Sequence, residues 1–201
     1  MEDTIKYTWP IIPKYKVTEH DKYGIRYNHY VLFKQRGHSG FDITADYGTE
    51  VKSISKGKVI CAQFDGTTTE GFDAFNMGYG NKIEILNEDG KRVVYAHLSE
   101  ILVKVGDVVD NNTIIGKTGC TGGSRVPHLH IEIRKQNTEE TGLDYTINPL
   151  DILPKLDFSN IKEKFTQEPY SKLWNKMANE QNPWDFQESD IWYKDKTEYI
   201  K

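Results

Sequence analysis

The sequence contains few cysteines, and their spacing excludes the usual cysteine motifs. Cys61 and Cys120 are the only two, and no CxxC pair is present. A zinc ribbon and a thioredoxin-type redox motif are therefore excluded. We interpret the two cysteines as separate thiols, with a disulfide between them as the alternative, so they say little about the compartment.

Long apolar runs and an excess of basic residues are also missing. No stretch approaches 18 apolar residues, so we expect no membrane-spanning helix. The first sixteen residues, MEDTIKYTWPIIPKYK, lack the continuous apolar region of a secretory signal peptide. The formal net charge is −4, which argues against nucleic acid as the main partner because phosphate binding usually needs a basic face.

What the sequence does contain is a β pattern between about residues 41 and 134. Short alternating apolar runs rich in Val, Ile and Tyr are separated by turns such as SKG and NEDG. This pattern predicts a mainly β fold built from antiparallel hairpins. Residues 65–78 interrupt it and are predicted to form an exposed loop, either a functional wall or lid or a plain surface insertion.

The character of the sequence changes again after Pro149. Residues 159–168 and 170–181 place apolar side chains at helical spacing, which predicts a C-terminal extension with short helices. The length of 201 residues suits one domain plus such an extension. The predicted organisation is an N-terminal segment at 1–25, a main domain at 26–153 and the extension at 154–201.

Two short histidine motifs could hold a metal. His128 and His130 form HLH in a predicted strand, where residues two apart point to the same face. His38 and Asp42 form HSGFD, and these two side chains can converge if the chain turns at Gly40. Either motif alone is weak, since most such pairs are surface or core residues.

Taken together, the motifs supply imidazoles and one carboxylate, the ligands that zinc prefers in catalytic sites. Two imidazoles and a carboxylate leave a bound zinc with a net charge near +1, which lowers the pKa of water and polarises a carbonyl. Three ligands from four candidates leave one histidine over, and His97 adds another for proton transfer. No HExxH is present, so no helix-borne glutamate could act as the base. Spacing alone does not decide which histidine of HLH is the ligand.

The ordered motifs resemble the lysostaphin-type, or LytM-like, metalloendopeptidases of bacterial cell walls. Residues 37–60 resemble the first motif of that family, residues 78–85 (GYGNKIEI) match a strand between the motifs, and residues 95–134 resemble the second half. That second half includes a glycine-rich loop leading into Pro-His-Leu-His. The likeness covers about residues 26–150, and each motif is weak alone whereas the ordered set is specific.

The resemblance implies a function, a fold and roles. It implies one Zn²⁺ bound by His38, Asp42 and His130, with His97 and His128 as the catalytic histidines. It implies an antiparallel β-sheet groove with loop walls, of the duplicated-hybrid-motif type, that accepts a peptide. The implied function is a zinc-dependent endopeptidase that hydrolyses cross-links or stem peptides of peptidoglycan.

Departures from the family pattern are mild. Val126 occupies a position usually filled by a small residue, and Ile131 stands where Phe is usual. These positions, the 65–78 insertion and the extension put the choice of substrate in doubt. Family members that only activate other hydrolases lack ligands, whereas this chain retains all five key positions.

Two other functions are alternatives on the sequence. One is a non-catalytic cell-wall binding or scaffold protein that keeps a metal for stability. The other comes from VKVGDVVDNNTIIG, which resembles half of a biotinyl or lipoyl carrier hairpin but leaves the histidines unexplained. The implied site of action is the cell wall or periplasm. Delivery would then be by a phage particle, through a lysis pore, or after removal of a signal, and the extension is a candidate docking segment for a virion or the wall.

Overall fold

The structure is a computed structural model that describes residues 6–18, 21–26, 36–65, 78–124 and 126–161. Most of the 65–78 insertion and the helices predicted within 159–181 lie outside these residues, apart from a single 3₁₀ turn at Phe158–Asn160. The chain divides into two compact units, Met1–Phe165 and Thr166–Lys201, and the second also lies outside them. The three predicted segments and the docking role of the extension therefore stay predictions.

Within the described residues, nine strands form one antiparallel sheet, which confirms the predicted mainly β fold. The strands are β1 (Phe41–Thr44), β2 (Glu50–Lys52), β3 (Gly57–Asp65), β4 (Gly80–Asn87), β5 (Arg92–Ile101), β6 (Val108–Val109), β7 (Ile114–Thr118), β8 (His128–Arg134) and β9 (Thr146–Ile147). The main order is β1-β8-β5-β4-β3-β6, while β7 pairs with β2 and β5, and β9 pairs with β8.

The pleat of β8 separates the core from the polar face of the sheet. Leu129, Ile131 and Ile133 are fully buried and belong to the hydrophobic core. Because side chains alternate along a strand, the intervening His130 and Glu132 point to the other face. Burial of each large aliphatic side chain contributes about 1.5–3 kcal/mol, so the apolar face of β8 fixes which way its polar residues point.

Strand β5 is central, and it contains an irregularity. Its pairing with β4 runs from Ile83↔Tyr95 to Asn81↔Leu98, so β5 has one extra residue there. The extra residue lies beside His97, whose φ of 61° falls in the left-handed region. This is a β-bulge, a feature that redirects a side chain where regular pairing ends.

The chain on either side of the sheet packs against the core. Thr8 N–H donates to the Ile54 carbonyl at 2.8 Å, and the Trp9 indole donates to the Pro154 carbonyl at 2.8 Å. The Trp9 ring also meets Phe158 edge-on, with 5.7 Å between ring centroids. Residues 6–18 and 154–161 are therefore attached to the domain. No helix in the described part of the chain has the length and apolar character to span a membrane.

Candidate active site

Asp42 is the centre of a cluster of imidazoles where β1 meets β8. The two strands pair Asp42 with His130, so both side chains lie on the polar face of the sheet. Asp42 Oδ1 is 2.8 Å from His130 Nδ1 and 3.3 Å from His38 Nε2, and these two ring nitrogens are 3.0 Å apart. One potential ligand atom from each of the three residues thus lies within 4.8 Å of the others.

The segment before β1 brings His38 into this cluster. His38 Nδ1 donates to the carbonyl of Lys22 at 3.1 Å, so in the neutral ring the lone pair is on Nε2, which is 3.3 Å from Asp42 Oδ1. Gly40 permits the approach for a reason of space rather than of backbone angle. A Cβ built on Gly40 would lie 2.5 Å from the Ile131 carbonyl oxygen and 2.6 Å from His130 Cε1.

The donor set fits a divalent metal such as zinc. Burial alone would raise the pKa of the Asp42 carboxyl, but the adjacent His38 and His128 imidazoles hold this pKa well below its usual range. Asp42 is therefore ionised. Imidazole nitrogens and a carboxylate oxygen are the ligand atoms that zinc takes in catalytic sites, and here one from each of three residues lies close to the others. The predicted ligands His38, Asp42 and His130 are thus brought together.

His97 and His128 lie beside this cluster, with 4.7 Å between their ring centroids. His97 Nδ1 donates to the Thr121 carbonyl at 2.8 Å and His128 Nδ1 to the Val126 carbonyl at 2.9 Å. In the neutral form of each ring the lone pair is then on Nε2, and the Nε2 of His128 lies 3.7 Å from Asp42 Oδ1. Burial, with the imidazoles around it, holds the pKa of His97 well below its usual value.

Tyr95, two residues before His97, has two possible placements from the sequence. Alternation predicts that it shares the face of His97 and could contact substrate, and packing in the core is the alternative. In the structure Tyr95 is fully buried in the core, and its hydroxyl accepts from Ile54 N–H at 2.9 Å. Core packing is therefore confirmed, and the shared face is wrong because the bulge at His97 interrupts the alternation.

The glycine-rich loop before β8 carries the acceptor for His97. Gly119, Gly122 and Gly123 are predicted from the sequence to allow a positive φ in this loop, and of these Gly122 has one, at 69°. The hydroxyl of the neighbouring Thr121 donates to the Leu98 carbonyl at 2.8 Å and accepts from Asn81 N–H at 3.0 Å. These bonds tie the loop to β4 and β5, and so fix the carbonyl that orients His97.

Sequence reasoning missed a buried carboxylate beside the cluster, Glu132. Its Oε2 accepts hydrogen bonds from the hydroxyls of Ser39 at 2.6 Å, Thr141 at 2.8 Å and Tyr79 at 2.9 Å. Burial would raise the pKa of Glu132, but the charges of His130 and Arg134 and the Ser39 hydroxyl lower it to about 2. The alternation in HLHIE could have revealed it, since it places Glu132 on the same face as the two histidines.

Further charges continue from Glu132 across the same face of the sheet. Arg134 Nε donates to Glu132 Oε1 at 2.7 Å. On the other side of β5, Glu84 forms ion pairs with Arg92 and with Lys82, the latter at 2.9 Å. Buried charges are costly unless they are paired. These ion pairs therefore allow charged side chains to be buried on the face of the sheet next to the cluster.

Comparison with known proteins adds a family match. The profile of peptidase family M23 matches residues 36–141, more than half of the chain. Lysostaphin of Staphylococcus simulans is 42% identical over 113 residues, which are 55% of this chain and 21% of lysostaphin. Glycyl-glycine endopeptidase ALE-1 of Staphylococcus capitis is also 42% identical over 113 residues, 55% of this chain and 28% of ALE-1.

A third relative is named for a different activity from the first two, and the fold of this chain is similar to one solved structure. The DD-carboxypeptidase/endopeptidase Mpg of Neisseria meningitidis is 38% identical over 106 residues, 53% of this chain and 22% of Mpg. The match thus spans under a third of each relative. The structure of the antimicrobial peptidase lysostaphin from Staphylococcus simulans has a TM-score of 0.59 at 30% identity, and the similarity covers 80% of this chain and 60% of that one.

Proposed function

The chain belongs to peptidase family M23, and from this premise we propose that it is a zinc-dependent endopeptidase that cleaves peptide bonds of bacterial peptidoglycan. One observation carries the proposal. His38 Nε2, Asp42 Oδ1 and His130 Nδ1 converge within 4.8 Å. Beside them stand the imidazoles of His97 and His128, whose Nδ1 atoms bond to backbone carbonyls and whose Nε2 atoms carry the lone pair in the neutral ring. Three ligands next to proton-transfer groups are the arrangement that a metal-dependent hydrolase needs.

Bound among these ligands, zinc would supply a Lewis acid that polarises the scissile carbonyl and lowers the pKa of water. The chain would supply orientation and proton transfer. Because backbone carbonyls keep the Nδ1 protons of His97 and His128 in place, each Nε2 can take a proton from the attacking water. The same atom can then donate it to the departing amine or to the tetrahedral oxyanion.

The names of the relatives suggest two classes of bond. ALE-1 is named a glycyl-glycine endopeptidase, whereas Mpg is named a DD-carboxypeptidase/endopeptidase. The first name suggests glycine cross-bridges and the second suggests bonds between D-amino acids. We propose that this chain cleaves one of these in the peptides of peptidoglycan, acting outside the cytoplasm at the wall.

The experiment is release of new amino termini from purified walls of several cross-link chemistries. Walls are incubated with the zinc-loaded protein, the chelated protein and zinc-loaded His128→Ala. We expect release by the zinc-loaded protein alone, and the fragment masses identify the bond. Full activity after rigorous chelation would overturn the zinc requirement. If zinc is bound and no wall is cleaved, the non-catalytic binding or scaffold protein becomes the better explanation.

A further inference from the structure

Three of the four histidines in the site share one arrangement of their ring nitrogens. The Nδ1 atoms of His38, His97 and His128 bond to backbone carbonyls at 3.1, 2.8 and 2.9 Å. A carbonyl can only accept, so Nδ1 carries a proton, and in the neutral ring Nε2 is the lone pair. The backbone therefore fixes the tautomer of these three rings.

His130 is the exception. Its Nδ1 lies on the side of the other two predicted ligands, 2.8 Å from Asp42 Oδ1, so Nε2 lies on the side away from them. This Nε2 is buried and has no hydrogen-bond partner among the described residues. Instead of a backbone carbonyl, it faces the carboxylate of Glu132, whose Oε2 is 3.9 Å away. The proton that must stay off Nδ1 for metal binding thus has an anion beside its alternative position.

Glu132 is held firmly where it stands. It is fully buried, and its Oε2 accepts from the hydroxyls of Ser39, Thr141 and Tyr79. Its Oε1 accepts from Arg134 Nε at 2.7 Å. A carboxylate with four donors on its two oxygens has little freedom to turn away from His130. The hydroxyls also connect it to the chain just before β1, where His38 lies.

We propose that Glu132 is a positioning residue for the metal site. When the Nδ1 proton gives way to the metal, the Glu132 carboxylate holds the remaining His130 proton on Nε2. Nδ1 is then the lone pair that binds the metal with His38 and Asp42. A carboxylate behind a histidine ligand also fixes the plane of the ring and raises its basicity. The inference rests on the proposed function, because it needs the metal to bind at these three residues.

The chain offers a matched control in Glu84. Glu84 and Glu132 both pair with Val94 of β5, from opposite sides, so they occupy equivalent positions on one face of the sheet. Both are buried, at 2% and 0% exposure, and both form an ion pair with an arginine. Replacing either carboxylate by the amide removes a buried charge, but only Glu132 faces a site histidine.

The test compares metal binding by the metal-free wild type, Glu132→Gln and Glu84→Gln. Zinc affinity is measured by competition with a chromogenic chelator, and ligand geometry by the visible spectrum of the Co²⁺-substituted protein. We expect Glu132→Gln to lower zinc affinity about 10- to 100-fold and to change the Co²⁺ spectrum. Glu84→Gln should keep the wild-type affinity and spectrum.

Each other outcome has a defined meaning. Unchanged affinity in Glu132→Gln, or equal losses in both variants, would overturn the inference while the proposed function stands. A wild type that binds no zinc would overturn both. If Glu132→Gln does not fold, the double variant Ser39→Ala/Thr141→Val keeps the carboxylate and removes two of its donors. We then expect a smaller loss of zinc affinity, and wild-type affinity in that variant would overturn the inference.

Discussion

Strands β5 and β8 lie side by side and both deliver histidines to the same site, but they do so in different ways. β8 is regular, and its pleat sends His128 and His130 to the polar face while Leu129 enters the core. β5 breaks its alternation at His97, where φ is 61°. The regular strand needs only its own sequence to aim its side chains, whereas the bulged strand depends on its neighbours.

Two hydrogen bonds from His97 to neighbouring segments hold it in place. His97 N–H donates to the Tyr79 carbonyl at 2.8 Å, and its Nδ1 donates to the Thr121 carbonyl at 2.8 Å. A non-glycine residue held at positive φ costs on the order of 1–3 kcal/mol and persists only when the surroundings fix it. The difference shows that one of the two histidines proposed to transfer protons is placed by strained backbone and the other by relaxed backbone.

The largest expected effect is the loss of turnover when either histidine is removed. We expect His97→Ala and His128→Ala each to lower kcat by about 10²- to 10⁴-fold, the usual contribution of a general acid or base. Zinc should stay bound in both, because neither residue is a predicted ligand, whereas His38→Ala should lose it. Initial rates and metal content together check this. Normal cleavage by His128→Ala would mean that its role is assigned wrongly.

A smaller effect on zinc binding should follow from filling the space between Gly40 and the His130 ring. In Gly40→Ala the new methyl group would meet the Ile131 carbonyl and the His130 ring at 2.5–2.7 Å. Overpacking of this kind costs roughly 1–3 kcal/mol, and relief requires His130 to move. We expect both lower stability in urea denaturation and weaker zinc binding in chelator competition.

Gly90→Ala is the control for that variant. Gly90 has a φ of 81° with nothing within 4 Å of a built Cβ, so alanine there strains the backbone without touching the site. Its stability should fall by about 1–2 kcal/mol, while zinc affinity stays unchanged. Equal zinc affinities in the two variants would show that Gly40 serves the fold and not the metal.

The same contrast explains how far sequence reasoning could go. The antiparallel β fold and the common face of His128 and His130 follow from alternation and turn residues, which are local properties. Alternation alone could not decide between the two placements of Tyr95, because a bulge interrupts alternation, and this bulge lies where the strand changes partners. β5 pairs with β8 up to Ala96 and with β7 from Leu98, and no local pattern states this.

Two features of the site needed packing information. Gly40 in HSGFD could be expected to allow a turn, but its role is to leave room for the His130 ring, which arrives from 90 residues further along the chain. Alternation along the strand could predict that the Glu132 side chain lies on the same face as the histidines. The hydrogen bonds that fix its position could not be predicted, because they come from three separate loops, at Ser39, Tyr79 and Thr141.

The smallest expected effect tests the strained backbone directly, by comparing glycine with alanine at two positions. At His97, glycine tolerates the φ of 61° whereas alanine strains it by roughly 1–2 kcal/mol, so His97→Gly should be the more stable variant. At His128, in regular strand, glycine should be the less stable one by about 0.5–1 kcal/mol. Urea denaturation of the four metal-free variants measures both differences, and zinc is left out so that binding adds nothing to the stability. The sign of the glycine–alanine difference should therefore reverse between the strands. If alanine is the more stable replacement at both positions, the bulge is not held against its own preference, and β5 and β8 place their histidines in the same way.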